Sequence, residues 1–202
     1  MMNKIEKIYN KSDSASQYAE NYIQYIGEVF SKISTAEIEL FAKTLLNARD
    51  RASSIYFIGN GGSATTASHF ANDIGIGTKS SDKPFRVISL CDNNSVITAI
   101  ANDYGYEDIF LRQLEILLNE QDVVVAISAS GNSENLLRAI NFAKNKGAIT
   151  VGLTSFSGGK LKKEVDILVH IPAQEGEYGP AEDGHMMLDH LISSYLYHYL
   201  KK

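Results

Sequence analysis

The sequence predicts an α/β fold in which a doubly wound, five-stranded parallel sheet follows a helical N-terminal extension. Five short runs rich in β-branched residues predict the strands, and segments with helical spacing of apolar residues lie between several of them. The runs are apolar at almost every position, which is typical of parallel strands that helices cover on both faces. We therefore expect helices on both sides of one sheet.

The first 50 residues carry the pattern of amphipathic helices. Apolar residues recur at three- and four-residue spacing between residues 22 and 33 and again between residues 38 and 46. We expect this extension, residues 1–50, to pack against other chains of an oligomer, although packing onto its own core would explain the same pattern.

Five strands and four helices are expected after the extension. The strands are predicted at residues 54–58, 86–90, 122–127, 148–153 and 166–171. The helical patterns lie at residues 63–75, 107–119 and 133–146, with a closing helix at about 181–200. Ligands of such sheets bind beyond the carboxyl ends of the strands, near the point where the strand order reverses. The loops after the first and third strands are therefore the first candidates for a functional site.

Composition limits the classes of protein to consider. A chain of 202 residues with 44% hydrophobic and 21% charged residues predicts one domain over residues 1–202. The net charge of −5 and the lack of a basic stripe argue against nucleic-acid binding. The one cysteine, Cys91, cannot form an internal disulfide. Neither an apolar signal core nor a membrane-length apolar run is present, so we expect a cytoplasmic protein that does not bind a membrane.

Two loops are rich in glycine and serine, and each precedes a helical pattern. The first reads Gly-Asn-Gly-Gly-Ser-Ala at residues 59–64, and the second reads Ser-Ala-Ser-Gly-Asn-Ser at residues 128–133. Glycines allow tight turns, and the amides of a helix N-terminus attract an anion. Either loop alone is equally typical of an ordinary turn and helix cap. Together, on neighbouring strands, they indicate one shared phosphate site.

The first loop also matches a dinucleotide-binding fingerprint. Gly59, Gly61 and Ala64 fit the pattern Gly-x-Gly-x-x-Ala, and Asp92 ends the second strand where a ribose-binding acid would stand. A dehydrogenase usually needs a further substrate domain, for which 202 residues leave no room. The serine-rich loop also has no role in that scheme, so we favour the phosphate site.

On this alternation of strands and helices, the two loops resemble those of the sugar isomerase (SIS) domain, whose fold is flavodoxin-like. The helical N-terminus and the closing helix resemble its phosphoheptose isomerase branch, and the similarity spans nearly the whole chain. In that family the loops hold a sugar phosphate. The resemblance implies substrate contacts by Asn60, Gly61, Gly62, Ser63, Asp103, Ser128, Ala129, Ser130 and Ser133. Ala129 departs from the family, which commonly has Thr at that position.

Two groups of imidazoles and acids form the candidate chemical centre. His69 and Asp73 lie four residues apart, hence on one face of a helix, and residues 182–190 carry a second group. The SIS resemblance implies that His69, Asp73, Glu182 and His190 form the active-site cluster, which binds zinc in some members. The family usually has Glu at position 73 and Gln at position 182. Two imidazoles and two carboxylates suit one divalent cation, zinc above all, per active site.

The spacing of Glu182 and His190 constrains how this cluster can form. Eight residues of continuous helix span about 12 Å, too far for both side chains to meet comfortably at one ion with ligand distances of about 2 Å. Either Glu182 lies in an irregular segment before the helix, or two chains build the site together. The resemblance implies a homotetramer with active sites at the subunit boundaries.

Other polar residues of the same segments are expected to be structural. Asp183 and Asp189 are expected to be solvated or to cap the helix, and Asp103 either contacts the sugar or ends a helix. Structural roles are also expected for the remaining histidines, His170, His185 and His198.

The resemblance implies an aldose–ketose isomerase that converts sedoheptulose 7-phosphate to D-glycero-D-manno-heptose 7-phosphate for bacterial surface polysaccharides. Such a reaction needs a base beside the carbonyl and a group that stabilises the enediolate oxygen. We expect Asp73 to carry the proton, with Glu182 as the alternative, and His190 to act at the oxygens. Gly77 and Gly179 replace an Arg and an Asp that the family often has, so another sugar phosphate is the alternative substrate.

A non-catalytic SIS module, which binds a sugar phosphate or bridges other proteins, is the alternative function. Such a module needs the two phosphate loops but not the four metal-capable side chains. Because the sequence has both, we favour the enzyme.

Overall fold

The five strands form one parallel sheet in a computed structural model that describes residues 2–80 and 82–201. Residues 1 and 202, the ends of the predicted domain, lie outside the described residues. The strands are β1 (Ser54–Gly59), β2 (Arg86–Ser89), β3 (Val123–Ser128), β4 (Ile149–Ser155) and β5 (Ile167–Ile171). Their order in the sheet is β2-β1-β3-β4-β5. The predicted doubly wound sheet is confirmed.

The N-terminal region is helical, as the apolar spacing predicts. Its helices are α1 (Lys4–Asn10), α2 (Ala15–Phe30) and α3 (Thr35–Asp50). Each starts after a capping residue, Asn3, Ser14 or Ser34, whose side chain accepts a hydrogen bond from the backbone N–H three residues later. Polar caps at three successive starts explain why the segment breaks into three helices.

Within residues 2–80 and 82–201, six further helices surround the sheet. They are α4 (Gly62–Asn72), α5 (Asn94–Asp103), α6 (Leu111–Leu117), α7 (Glu134–Asn145), α8 (Leu161–Glu164) and α9 (Tyr178–Tyr199). A π-helical turn, Asp73–Gly77, continues α4, and a 3-10 turn, Tyr106–Asp108, precedes α6. The predicted helix at 107–119 is therefore shorter than expected. Helix α5 was missed because its apolar residues are mostly β-branched, which favours strands.

The core lies in two layers, one on each face of the sheet. Strands β1 and β3 are buried at all six positions, which makes the loops that follow them rigidly anchored. On one face Phe70 of α4 stacks on Phe57 of β1, with ring centroids 4.9 Å apart, and α9 packs in the same layer through Leu188 and Ile192. Helices α4 and α9 are therefore neighbours on this face.

The expectation that every strand is covered on both faces is wrong for the edges of the sheet. Strand β2 exposes Arg86 and Ile88, and β5 alternates buried and partly exposed positions. Edge strands have one neighbour, so helices cover them incompletely. Within the described ranges, no helix is both long and apolar enough to cross a membrane.

Candidate active site

The loop after β1 brings backbone amides to the carboxyl end of the strand. Gly61 adopts a left-handed conformation, with φ of +54°, and α4 begins at the next residue. A β-carbon on Gly59 would lie 2.6 Å from the carbonyl oxygen of Ser63, so the turn requires glycine there. The first turn of α4 therefore stands directly over the end of β1, with its free N–H groups at that edge.

The loop after β3 is held by its own serines and by a neighbouring loop. The Ser128 hydroxyl accepts a hydrogen bond from the N–H of Gly131 at 3.0 Å. Gly131 has φ of +66°, and a β-carbon on it would lie 2.0 Å from the carbonyl oxygen of Gly158. The Ser133 side chain makes no capping hydrogen bond to α7, so its hydroxyl is free for a ligand.

The two loops meet. The side-chain amides of Asn60 and Asn135 exchange hydrogen bonds of 3.0 and 2.9 Å between the first loop and the start of α7. A cavity of about 180 Å³ lies between the loops, with one carboxylate, Glu182, on its wall. Its lining residues are Asn60, Ser63, Ile127, Ser128, Ala129, Ser130, Ser133, Leu136, Tyr178 and Glu182.

Most of the predicted substrate contacts share this cavity. The exceptions are Gly61 and Gly62, which form the backbone of the first loop beside it, and Asp103. Asp103 is the exposed last residue of α5 and accepts a hydrogen bond from the Asn102 side chain at 2.7 Å. Asp103 therefore ends a helix, which is one of its two expected roles, and its contact with the sugar stays a prediction.

Four acids and imidazoles form a second cluster on α4, on the π turn that extends it, and on α9. His69, Asp73, Asp189 and His190 each offer one ligand atom, and these atoms lie within 4.8 Å of one another. The Nε2 atom of His69 is 3.5 Å from Asp73 Oδ2 and 3.8 Å from Asp189 Oδ2. The rings of His69 and His190 are 5.2 Å apart at a steep angle. Such a set of His and Asp side chains could hold a divalent metal ion.

Helices α4 and α9 run parallel and place the cavity and the cluster at two levels. Gly62 contacts the Glu182 carboxylate, because a β-carbon on Gly62 would lie 2.6 Å from its Oε2 atom. Seven residues later on both helices, His69 faces Asp189. Seven residues correspond to about 10 Å of helix. The phosphate loops and the cluster are therefore separated by about two helical turns along one helix pair.

Glu182 is not a member of this cluster, contrary to the expected set of four. It lies inside the continuous helix α9, beside Gly62, and so the expected irregular segment before the helix is wrong. The helix tolerates both of its breakers: Pro180 lies in the first turn, where no intrahelical N–H is needed, and Gly184 packs tightly on Ile171. Contribution of Glu182 from a second chain stays a prediction.

Asp189 takes the place in the cluster that Glu182 was expected to fill. The expectation that Asp189 is solvated or capping is wrong, because its side chain is fully buried and neither carboxylate oxygen has a hydrogen-bond partner among the described residues. Burial, with a contribution from nearby Asp73, raises the pKa of Asp189 to about 7. The sequence carried a signal of this burial: Asp189 lies three residues before Ile192 and seven before Leu196, so it shares a helix face with these buried residues.

The remaining acids and histidines of these segments have structural surroundings. Asp183 is exposed and accepts a hydrogen bond from the Tyr22 hydroxyl at 2.6 Å. His185 is fully buried, and burial lowers its pKa to about 4, which keeps the ring neutral. The ring of His170 in β5 contacts the Thr154 hydroxyl at 3.0 Å.

The chain is similar to known proteins over most of its length. The family model described as SIS domain matches residues 17–155. The phosphoheptose isomerase of Geobacter metallireducens is 38% identical over 165 residues, which cover 82% of this chain and 86% of the relative. That of Aneurinibacillus thermoaerophilus is 34% identical over 183 residues, covering 88% and 91%. The structure of the phosphoheptose isomerase from Neisseria gonorrhoeae has a TM-score of 0.82 at 26% identity, covering 91% of this chain and 98% of that one.

Proposed function

The chain belongs to the SIS domain family, in its phosphoheptose isomerase branch, and we propose that it interconverts sedoheptulose 7-phosphate and D-glycero-D-manno-heptose 7-phosphate. The chain is a sugar-phosphate aldose–ketose isomerase. One observation supports the assignment most strongly. A cavity lined by serine hydroxyls, which suits a phosphate, and a cluster of proton-transfer groups lie about two helical turns apart along the α4–α9 pair. The product would serve the synthesis of bacterial surface polysaccharides.

The phosphate of the substrate binds in the cavity between the two loops. The amides at the start of α4 and the hydroxyls of Ser63, Ser128, Ser130 and Ser133 are the donors. In the described chain no lysine or arginine lines this cavity, so the phosphate charge is met by dipoles. Ala129, where the family commonly has Thr, removes one hydroxyl from the set.

His69, Asp73 and His190 would hold one divalent metal ion per active site, which we propose to be zinc. The structure fits such an ion because the donors are imidazoles and carboxylates, and because the two buried Asp189 oxygens in the cluster have no hydrogen-bond partner in the part of the chain that is described. When bound, the ion supplies polarisation of the substrate carbonyl.

The reaction moves one proton between two carbons. A carboxylate removes a proton from C1 of the ketose, the C1–C2 double bond forms, and the carbonyl oxygen becomes an enediolate oxygen. The same carboxylate then returns the proton to C2. His190 transfers protons at the two oxygens, because its exposed ring stands at the edge of the cluster.

Two carboxylates compete for the carbon proton. Asp73 lies in the cluster, and Glu182 lines the sugar-phosphate cavity. A carboxylate that binds a cation is a poorer base, so the ligand role and the base role of Asp73 conflict. Solvent deuterium incorporation at C2, measured in Asp73→Asn and Glu182→Gln, separates them. Undiminished incorporation in both variants would contradict the assignment of either residue as the proton carrier.

A panel of ketose and aldose phosphates, incubated with and without a chelator and followed by NMR, tests the substrate. If the protein converts the heptose phosphates and a chelator abolishes that conversion, the result supports both the proposed substrate and the catalytic role of the metal. Conversion of a different sugar phosphate alone would replace the proposed substrate. The non-catalytic module is not favoured, since the two sequence relatives described above, which match most of the chain, are phosphoheptose isomerases.

We also propose a homotetramer with active sites at its subunit interfaces. Large apolar side chains are exposed on the N-terminal helices, where Ile23 of α2 is 71% exposed, and on α9, where Leu191 is 40% and Tyr195 48% exposed. Residues 1–50 would supply part of this packing, and Leu191 follows His190 of the cluster directly. Light scattering after size-exclusion chromatography tests it, and a mass of one chain would contradict it.

A further inference from the structure

Tyr178 lies at the cavity between the two loops without a polar contact of its own. It is the first residue of α9, forms part of the cavity wall and is 57% exposed. Its hydroxyl makes no hydrogen bond with any described residue. By contrast, the Tyr106 hydroxyl donates to the side chain of Asn60 on the same wall at 2.9 Å. Tyr178 therefore offers a donor that nothing else in the described chain uses.

An aromatic contact orients the Tyr178 ring. The ring of Phe156 packs edge-on against it, with centroids 5.2 Å apart and the two planes at 88°. Phe156 directly follows β4 and has a left-handed backbone, with φ of +54°, which is costly for a residue other than glycine. Such conformations persist only where the surrounding structure enforces them, and they are concentrated at ligand sites.

The segment that carries Phe156 is fixed to the loop after β3. The N–H of Ser155 donates to the carbonyl oxygen of Ala129 at 3.1 Å, and the N–H of Leu161 donates to that of Gly131 at 2.9 Å. These bonds tie both ends of the segment after β4 to the serine-rich loop. The aromatic contact and the phosphate donors therefore share one support.

The buried Glu177 carboxylate fixes the backbone at the start of α9. Glu177 is 2% exposed, and its Oε1 atom accepts hydrogen bonds from the N–H groups of Lys4 at 2.7 Å and Ile5 at 3.2 Å. Its Oε2 atom accepts one from the Tyr25 hydroxyl at 2.5 Å and one from an N–H of its own loop at 3.0 Å. Four donors on one carboxylate thus hold the start of α9 against α1 and α2.

A phosphate in this cavity needs strong neutral donors, because no lysine or arginine of the described chain lines it. A phenol is more acidic than a serine hydroxyl, so it donates more strongly to an anionic oxygen. Ala129 supplies no hydroxyl on the opposite loop. An oriented tyrosine hydroxyl at the cavity wall is suited to add a donor there.

We propose that the Tyr178 hydroxyl is a further donor to the substrate phosphate, and that Phe156 and Glu177 are positioning residues that hold it at the cavity. The inference rests on the proposed function for the identity of the substrate, whereas binding of a phosphate can be measured without turnover. The phosphate takes no part in the proton transfer, so this contact contributes equally to the bound substrate and to the transition state. Its loss therefore raises KM and leaves kcat unchanged.

The test compares Tyr178→Phe with the wild-type chain, since this change removes one oxygen and keeps the ring. In a phosphorus NMR titration, the dissociation constant of inorganic phosphate should rise by about five- to tenfold, because a hydrogen bond to a charged group is stronger than average. KM for the sugar phosphate should rise by the same factor. Tyr199→Phe is the matched control, an exposed tyrosine at the other end of α9 whose ring also contacts an aromatic neighbour, and it should change neither quantity.

The outcomes separate this proposal from the proposed function. Unchanged phosphate affinity in Tyr178→Phe would overturn the proposal, and a raised KM beside unchanged phosphate affinity would overturn it by placing the hydroxyl on the sugar. Weakened phosphate binding in Tyr178→Phe, in a protein that converts no sugar phosphate, would sustain the Tyr178 contact and refute the isomerase.

Double variants test the two positioning residues. Glu177→Gln and Phe156→Leu should each weaken phosphate binding in the wild-type chain. In the Tyr178→Phe chain they should weaken it no further, because the contact that they position is already absent. Urea unfolding records the stability that each substitution removes from both chains. Equal losses of phosphate affinity in the two chains would show a structural role alone and would overturn the positioning role.

Discussion

The two ends of the α4–α9 helix pair are built from different chemical groups. The end beside the loops offers backbone amides and serine hydroxyls, in conformations fixed by glycines such as Gly131. The other end offers four titratable side chains, which lie on α4, on the π turn that extends it, and on α9. Backbone changes should therefore destroy the first end together with the fold. Side-chain changes at the second end should lower turnover while the unfolding free energy stays near that of the wild type.

Removing an imidazole from the cluster should have the largest effect. His190→Ala should lower kcat by about 10²–10⁴-fold, the usual contribution of a general acid or base. Its unfolding free energy should stay near that of the wild type, because the ring is exposed. Turnover assays beside urea unfolding measure both, with exposed His198→Ala as the control. A variant that loses stability instead of turnover would break the contrast between the two ends.

Adding one methyl group to the loop after β3 should lower the free energy of unfolding. Residue 131 has a left-handed backbone, which alanine adopts only at a cost, and the β-carbon of Gly131→Ala would lie 2.0 Å from the Gly158 carbonyl oxygen. We therefore expect the substitution to lower the unfolding free energy by about 3 kcal/mol. Gly27→Ala, in the middle of α2 with open space around it, is the matched control. That substitution should stabilise by about 0.5–1 kcal/mol. Equal effects in urea unfolding would contradict this account of the loop.

Acid should act in opposite directions on two buried titratable groups of α9, His185 and Asp189. The pKa of His185 is lowered from 6.5 to about 4, so the unfolded chain binds more protons between these values and stability falls as the pH falls. The loss amounts to about 3 kcal/mol, at about 1.4 kcal/mol per pKa unit. The raised pKa of Asp189 acts oppositely: folding takes up a proton below about pH 7, and stability rises as the pH falls.

The metal-free protein separates these two effects. In Asp189→Asn the opposing contribution is removed, so stability between pH 6.5 and 4 should fall more steeply than in the wild type. Urea unfolding at a series of pH values measures both curves. Parallel curves would mean that Asp189 is ionised in the metal-free fold.

A single hydroxyl of the phosphate cavity should have the smallest effect. Ser133→Ala should raise KM by about two- to tenfold, which corresponds to one net hydrogen bond of about 0.5–1.5 kcal/mol, without a change in stability. Ser128→Ala should raise KM and also lower the free energy of unfolding, because its oxygen accepts the Gly131 N–H. Identical behaviour of the two variants would show that their hydroxyls are equivalent.

The loop end was largely predictable from the sequence. The β-branched runs and the glycines and serines that follow them are local signals, and the reversal of strand order between β1 and β3 brings both loops to one place. Helix α5 was not predicted, because Val96, Ile97 and Thr98 have strand propensity and the polar cap Asn93 gives only a weak opposing signal.

The cluster end was predicted only in part. His69 and Asp73 follow from helical spacing within one segment. The partners on α9 depend on the register between two helices that are more than one hundred residues apart in the chain, and spacing within α9 does not determine that register. Within one chain Glu182 therefore lies at the loop end of the helix pair, and Asp189 is the acid beside His190 that the sequence analysis did not place in the cluster.

A crystal structure with a non-isomerisable polyol phosphate of the heptose tests the central claim most directly. We predict that its phosphate lies between the residue 59–64 and 128–133 loops, and that its chain runs along the α4–α9 pair toward Glu182 and His190. A phosphate bound at the His69 cluster, or a sugar chain directed away from α9, would contradict the account.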